Sequence, residues 1–184
     1  MRKLTNVEIA QKRIKPDEIP DAPRIPVAVI VDNVRSLYNV GSIFRTSDGA
    51  MVAKLILTGF TPYPPRKEIE KTALGSTRSV PWQYMENPRD AITLMKEQGY
   101  KICCLELTDS NISYDQIQLS DFPLCVVIGN EVTGISREIV AQSDIAIEIP
   151  MFGTKQSLNV AVAYGIAVFE LGRIWRSNHL PVRT

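Results

Sequence analysis

The stretch that most narrows the possible folds is Val27-Ala28-Val29-Ile30-Val31, an unbroken apolar run that is β-branched except for Ala28. A strand with one wet face alternates apolar and polar residues, whereas an unbroken run belongs to a strand covered on both faces, as in a parallel sheet. Lys101–Leu105 and Leu124–Ile128 read the same way, and residues 54–57, 80–84 and 145–149 give further, shorter strands. Helices are expected between them. Asn39 caps one that runs to about Ser47. Asn87 caps another, with Pro88 at its first position and Asp90 in its first turn, ending at Gln98 before Gly99. Ser136 starts a short helix through Gln142, and a long one begins near Ser157 and continues to Trp175. This alternation predicts an α/β domain: a mostly parallel sheet flanked by helices. Ligands of such sheets sit beyond the carboxyl ends of the strands, so the loops leaving those ends form the candidate site.

The chain has 184 residues, 45% of them hydrophobic and 22% charged, enough for one sizeable core. Residues 26–184 are read as one domain and residues 1–25 as a basic arm, weakly helical over residues 5–15 and then marked by prolines. No run of 18 apolar residues occurs and the first 15 residues are charged throughout, which predicts a cytoplasmic protein. Cys103, Cys104 and Cys125 fall inside apolar strands and fit core residues better than a disulfide framework. With His179 the only histidine, no metal site is expected.

A formal net charge of +1 argues against indiscriminate coating of nucleic acid, but the basic residues are grouped. Within residues 1–15, Arg2, Lys3, Lys12, Arg13 and Lys15 stand against Glu8 alone. Arg66, Lys67, Lys71 and Arg78 lie in residues 58–79, a stretch with Pro62, Pro64 and Pro65 that suits a mobile substrate-facing loop. Arg173, Arg176 and Arg183 lie near the end. Solvated surface charge explains each group singly; together they could build one basic face.

Three loops at strand ends carry unusual residues. In the first, Arg35 precedes Asn39, Gly41 and Arg45, and helical spacing puts Gly41 and Arg45 on one face, so that Gly41 leaves space beside Arg45. In the second, Gly129-Asn130-Glu131 is closed by Gly134 before a helix. It has neither the Lys-Ser/Thr ending of a phosphate loop nor GxGxxG. In the third, Ile149-Pro150-Met151-Phe152-Gly153 leads to Ser157-Leu158-Asn159-Val160 and an apolar helix. That helix lacks the single apolar stripe of a surface helix, so it is buried in its own subunit or against a second one.

Taken in order, these segments closely resemble the three motifs of the SpoU (TrmH-type) RNA 2′-O-ribose methyltransferases of the SPOUT class, in a short single-domain form. The resemblance covers residues 27–172 and implies an α/β fold with a C-terminal trefoil knot, a homodimer formed through the last helix, and S-adenosyl-L-methionine as cofactor. It implies a cofactor site made by Leu105, Leu107, Gly129, Asn130, Gly134, Ile149, Met151, Ser157 and Leu158. Catalytic roles fall on Asn39, Arg45, Glu131, Ser157 and Asn159. RNA, tRNA ahead of ribosomal RNA, would meet Arg2, Lys3, Lys12, Arg13, Arg35, Arg45, Arg66, Lys67 and Arg78.

For this family the arginine matching Arg45 is proposed as general base. A free arginine has a pKa of about 12.5 to 13.8, so holding one neutral at pH 7 costs on the order of 7 to 9 kcal/mol. A charged arginine that binds the target phosphate and stabilises the developing alkoxide is the preferred reading.

Overall fold

The computed structural model describes residues 1–179, so Arg183 lies outside the described residues. Seven strands form one sheet: β1 (Ile25–Asp32), β2 (Val52–Thr58), β3 (Trp82–Met85), β4 (Lys101–Leu105), β5 (Ile112–Ser113), β6 (Leu124–Ile128) and β7 (Ile145–Glu148). Their order is β3-β2-β1-β6-β4-β7-β5 and every neighbouring pair is parallel. All carboxyl ends therefore open on one edge. The helices are α1 (Asn6–Gln11), α2 (Leu37–Ala50), α3 (Lys67–Ala73), α4 (Pro88–Glu97), α5 (Arg137–Val140) and α6 (Val160–His179).

The period of two along β1 divides its side chains between two cores. Val27, Val29 and Val31 pack with Val40, Ile43 and Phe44 of α2 and Tyr164, Val168 and Leu171 of α6. Ala28 and Ile30 face the other way, onto Ala91, Ile92 and Met95 of α4 and Ile139 of α5. Burial on both faces is what makes the run unbroken. The three cysteines are free and buried within this sheet, and burial drives the Cys103 and Cys125 thiols far up from their ordinary values. Where α2 and α6 cross, the fully buried Tyr164 hydroxyl shares a 2.7 Å hydrogen bond with Ser47. No helix among the described residues is long and apolar enough to cross a membrane.

Several boundaries differ from the sequence expectation. Ser36, not Asn39, caps α2: its hydroxyl accepts the Asn39 N–H at 3.3 Å. The helix also runs past Ser47 to Ala50 and stops where Met51 turns left-handed at φ 57°. The last helix begins at Val160 rather than near Ser157, because Asn159 is its cap, accepting from the N–H groups of Ala161 at 3.0 Å and Val162 at 3.4 Å. Helix α5 ends at Val140, short of Gln142, and the third strand starts at Trp82 instead of residue 80. The two residues of β5 carry too little pattern to be expected at all.

Gly41 also has a different role. A Cβ there would come within 2.0 Å of Thr72 Oγ1 and 2.3 Å of the Ile69 carbonyl oxygen. Its missing side chain lets α3 seat on α2, where the Thr72 hydroxyl donates to the Tyr38 carbonyl at 3.1 Å. It opens no space beside Arg45.

Candidate active site

The site starts from a buried carboxylate. Asp32, at the end of β1, is 2% exposed and accepts from the Thr58 hydroxyl at 2.8 Å and the Asn33 amide at 3.1 Å. Burial raises its pKa above the ordinary value, and these two bonds offset only part of the rise. Asn33 adopts φ 54°, a region that asparagine tolerates better than most residues, and turns the chain sharply off the strand. Its side-chain oxygen accepts the Phe60 N–H at 3.1 Å, tying the loop after β2 to the loop after β1.

That turn presents the Arg35 and Ser36 N–H groups to Glu131, at 3.0 Å and 3.1 Å. The same carboxylate accepts the Asn39 amide at 2.9 Å, and Asn39 in turn accepts from the Asn159 amide at 3.2 Å. A line Glu131–Asn39–Asn159 thus joins all three loops. Desolvation works to raise the Glu131 pKa, but the donors from Arg35, Asn39 and Ser36 outweigh it and hold the group below its ordinary value. Asn130 fixes the second loop from within, accepting from the Val132 and Thr133 N–H groups at 2.8 and 3.0 Å and donating to the Asn33 carbonyl at 2.8 Å.

Two glycines make this loop possible. Asn130 and Gly134 pair as a small antiparallel bridge, and a Cβ on Gly129 would sit 2.5 Å from the Gly134 carbonyl carbon. Gly134 has φ 65°, and a Cβ there would meet Glu106 Oε2 at 2.2 Å. Glu106 uses that oxygen to accept the Ile135 N–H at 2.8 Å and its other one to accept the Leu107 N–H at 3.0 Å.

Between the loops lies a cavity of about 320 Å³. All nine residues expected at a cofactor line it: Leu105, Leu107, Gly129, Asn130, Gly134, Ile149, Met151, Ser157 and Leu158. Glu131 and Asn159 share the lining; Asn39 sits behind them and Arg45 is exposed on α2, outside it. Sequence reasoning missed Glu106, Glu148 and Gln156, which also line the cavity. Glu106 follows directly on β4 and Glu148 is the last residue of β7, and those strand-end positions were the signal available. No lysine or arginine is among the lining residues. A phosphate would find no counter-charge there, whereas apolar walls and carboxylates suit a purine joined to a cationic group.

The residues expected at RNA are all exposed but not all alike. Arg35 and Arg45 flank the site loops, Arg66 and Lys67 stand at the start of α3, and Arg78 lies in the turn Ser76–Arg78. Lys3, Lys12 and Arg13 are on the arm, where Arg2 is paired with Glu8.

A parallel α/β sheet whose strand-end loops converge on a cavity defines a ligand-binding α/β domain, and comparison narrows the class further. Residues 26–169 match the profile of the SpoU rRNA Methylase family. The tRNA (guanosine(18)-2'-O)-methyltransferase of Aquifex aeolicus is 32% identical over 167 residues, 90% of this chain and 78% of that one. The protein of the same name from Escherichia coli K12 is 32% identical over 147 residues, 80% of this chain and 63% of that one. Among solved structures, the A. aeolicus TrmH/SpoU tRNA modifying enzyme aligns with a TM-score of 0.77 at 32% identity, covering 88% of this chain and 80% of that chain. The AdoMet bound rRNA methyltransferase from Sinorhizobium meliloti aligns with a TM-score of 0.77 at 29% identity, covering 92% and 62%. The chain belongs to the SpoU methylase family. It spans less than two thirds of the E. coli and S. meliloti relatives.

Proposed function

We propose that this chain transfers a methyl group from S-adenosyl-L-methionine to a ribose 2′-hydroxyl of RNA, with tRNA the first candidate and ribosomal RNA the second. The observation that carries the reading is the hydrogen-bonded line Glu131–Asn39–Asn159, which gathers three loops at the rim of one cavity. Two relatives bear the name of a tRNA ribose methyltransferase, and a third structure is described as AdoMet bound. The cavity suits the cofactor: Leu105, Ile149 and Leu158 offer apolar walls, and its carboxylates suit a cation.

When bound, S-adenosyl-L-methionine supplies a methyl carbon already activated by its sulfonium. The protein's task is then positioning, which can contribute up to roughly 7 to 11 kcal/mol in favourable cases. Glu131 fixes Asn39 and the first loop, Asn159 and Ser157 flank the reacting end, and Arg45 holds the target phosphate and the developing alkoxide while the proton leaves to phosphate or water.

Residues 26–184 act as the domain and residues 1–25 as its arm. A homodimer through α6 accounts for Val162, Ile166 and Phe169, an exposed apolar stripe at helical spacing. The Phe169 ring lies 3.5 Å from where a Gly49 Cβ would be, and Gly49 is one turn beyond Arg45 on α2, so Arg45 borders that stripe. Insertion of β6 and β7 among earlier strands suits the trefoil knot, and we place the protein in the cytoplasm.

Incubation with labelled S-adenosyl-L-methionine and total RNA from cells lacking the protein, followed by mass spectrometry, should yield one 2′-O-methylated nucleotide. Cofactor binding without transfer into any RNA would leave an RNA-binding protein instead. Gly129→Ala should weaken cofactor binding more than ten-fold in calorimetry, about 1.4 kcal/mol or more, with circular dichroism unchanged. A Cβ placed 2.5 Å from the Gly134 backbone forces the loop to shift where it walls the cavity.

A further inference from the structure

Among the described residues six large aromatic side chains are exposed: Tyr38, Phe60, Tyr63, Tyr84, Phe152 and Phe169. Only Phe169 belongs to the α6 stripe. The other five stand where the sheet's carboxyl ends open, on α2's first turn, on the loop after β2, near the end of β3 and on the loop after β7. Burial is the rule for large aromatics, so five exposed on one edge call for an explanation.

Phe60 is 62% exposed, yet its backbone is anchored by the N–H bond to Asn33, whose own carbonyl accepts from Asn130 of the cavity loop. Three residues on, Tyr63 lies against Tyr84, ring centroids 4.6 Å apart and planes 37° apart, and 6.5 Å from Trp82. Tyr84 is held by its hydroxyl, which donates to the Gly59 carbonyl at 2.7 Å. The Tyr63 and Tyr84 rings are held by these contacts and Phe60 by its backbone, and all three rings are open to solvent. Arg66 and Lys67 follow on the same segment, both exposed.

Rigid, solvent-facing aromatic rings beside unpaired cations match what unpaired nucleobases need, since every base offers a π-face and every linkage a charge. A paired helix offers no free face to stack upon. We propose that Phe60 and Tyr63, backed by Tyr84, form a stacking surface for unpaired bases of the RNA, next to the nucleotide that is modified. The proposal rests on the methyltransferase reading for its substrate class, but its test does not require turnover.

The probes are a mixed-sequence single-stranded oligoribonucleotide and a fully paired, blunt-ended RNA duplex, titrated against the full chain. The protein should prefer the single strand. Phe60→Ala and Tyr63→Ala should each weaken single-strand binding about ten-fold and leave duplex binding and cofactor affinity within two-fold. Phe60→Trp should retain the affinity. Because stacking releases no counterions, the salt dependence of binding should keep its slope in both alanine variants, whereas Arg66→Ala should reduce it. Unchanged single-strand affinity in Phe60→Ala and Tyr63→Ala, with a lower melting temperature for Tyr63→Ala alone, would make the rings a latch for the loop and overturn the proposal. Failure of the wild-type protein to transfer methyl groups, with the stacking pattern intact, would count against the methyltransferase reading only.

Discussion

Arg45→Ala should cut methyl transfer by about a hundred- to a thousand-fold in kcat, the range found when one donor to a developing oxyanion is removed. Affinity for S-adenosyl-L-methionine should stay within a few-fold. The division follows from position: Arg45 is exposed on α2 and takes no part in lining the cavity, while the cofactor walls come from β4, β6, β7 and their loops. Single-turnover transfer measured beside calorimetry separates the two quantities, and an equal loss in both would contradict the assignment. Arg45→Lys distinguishes a base from a stabilising cation. If the residue abstracts the proton, a lysine titrating nearer neutrality should add a new limb to the pH–rate profile. A cation that only holds charge should lower the rate without adding a limb.

Glu131→Gln is the second large effect. The carboxylate presents acceptors alone, one oxygen to the Arg35 N–H and the other to the Ser36 N–H and the Asn39 amide. An amide of the same shape must turn an NH₂ towards one of these donors, and the first loop has to move away. Displacement of a reacting group by about 1 Å costs on the order of a hundred-fold in rate, so activity should fall by about that factor, with KM for RNA rising as Arg35 shifts. Glu131→Asp, too short to span both loops, should do no better. The pH dependence has a definite sign. A carboxylate with a lowered pKa in the folded protein stabilises it fully above the unfolded value, about 4.3, and that contribution disappears as pH falls through the lower folded value. The loops should therefore stay joined through neutral and mildly acidic pH. Hydrogen exchange at the Arg35 and Ser36 amides should rise only in stronger acid, and in Glu131→Gln that acid transition should vanish.

What could be read in the sequence was whatever depends on neighbours along the chain. Strands β1, β4 and β6 declare themselves because burial on both faces leaves no room for alternation. The three loops were legible as motifs, and the nine expected cofactor residues do meet at one cavity. What escaped depends on partners far away. Asn39 has the chemistry of a helix cap, but its NH₂ is given to Glu131, 92 residues later, and its oxygen accepts from Asn159, 120 residues later, while Ser36 caps the helix. Ser157 looked like the mouth of the last helix, yet residues 151–159 form an irregular loop, Met151 and residues 156–159 of it line the cavity, and Asn159 takes over the capping. Gly41 is explained only by Thr72 on another helix, and Glu106 only by the N–H of Ile135 across the cavity. Periodicity carries none of these contacts.

Asn159 caps α6 and also donates to Asn39, 120 residues earlier in the chain. Synthesis is vectorial, so Arg45 and Glu131 leave the ribosome long before the residue that completes their arrangement. An unfinished chain carries the cation and the carboxylate but lacks the last helix and the amide it supports. Competence in methyl transfer thus waits until Asn159 has been made and folded, and fragments cut before it lack the completed line Glu131–Asn39–Asn159.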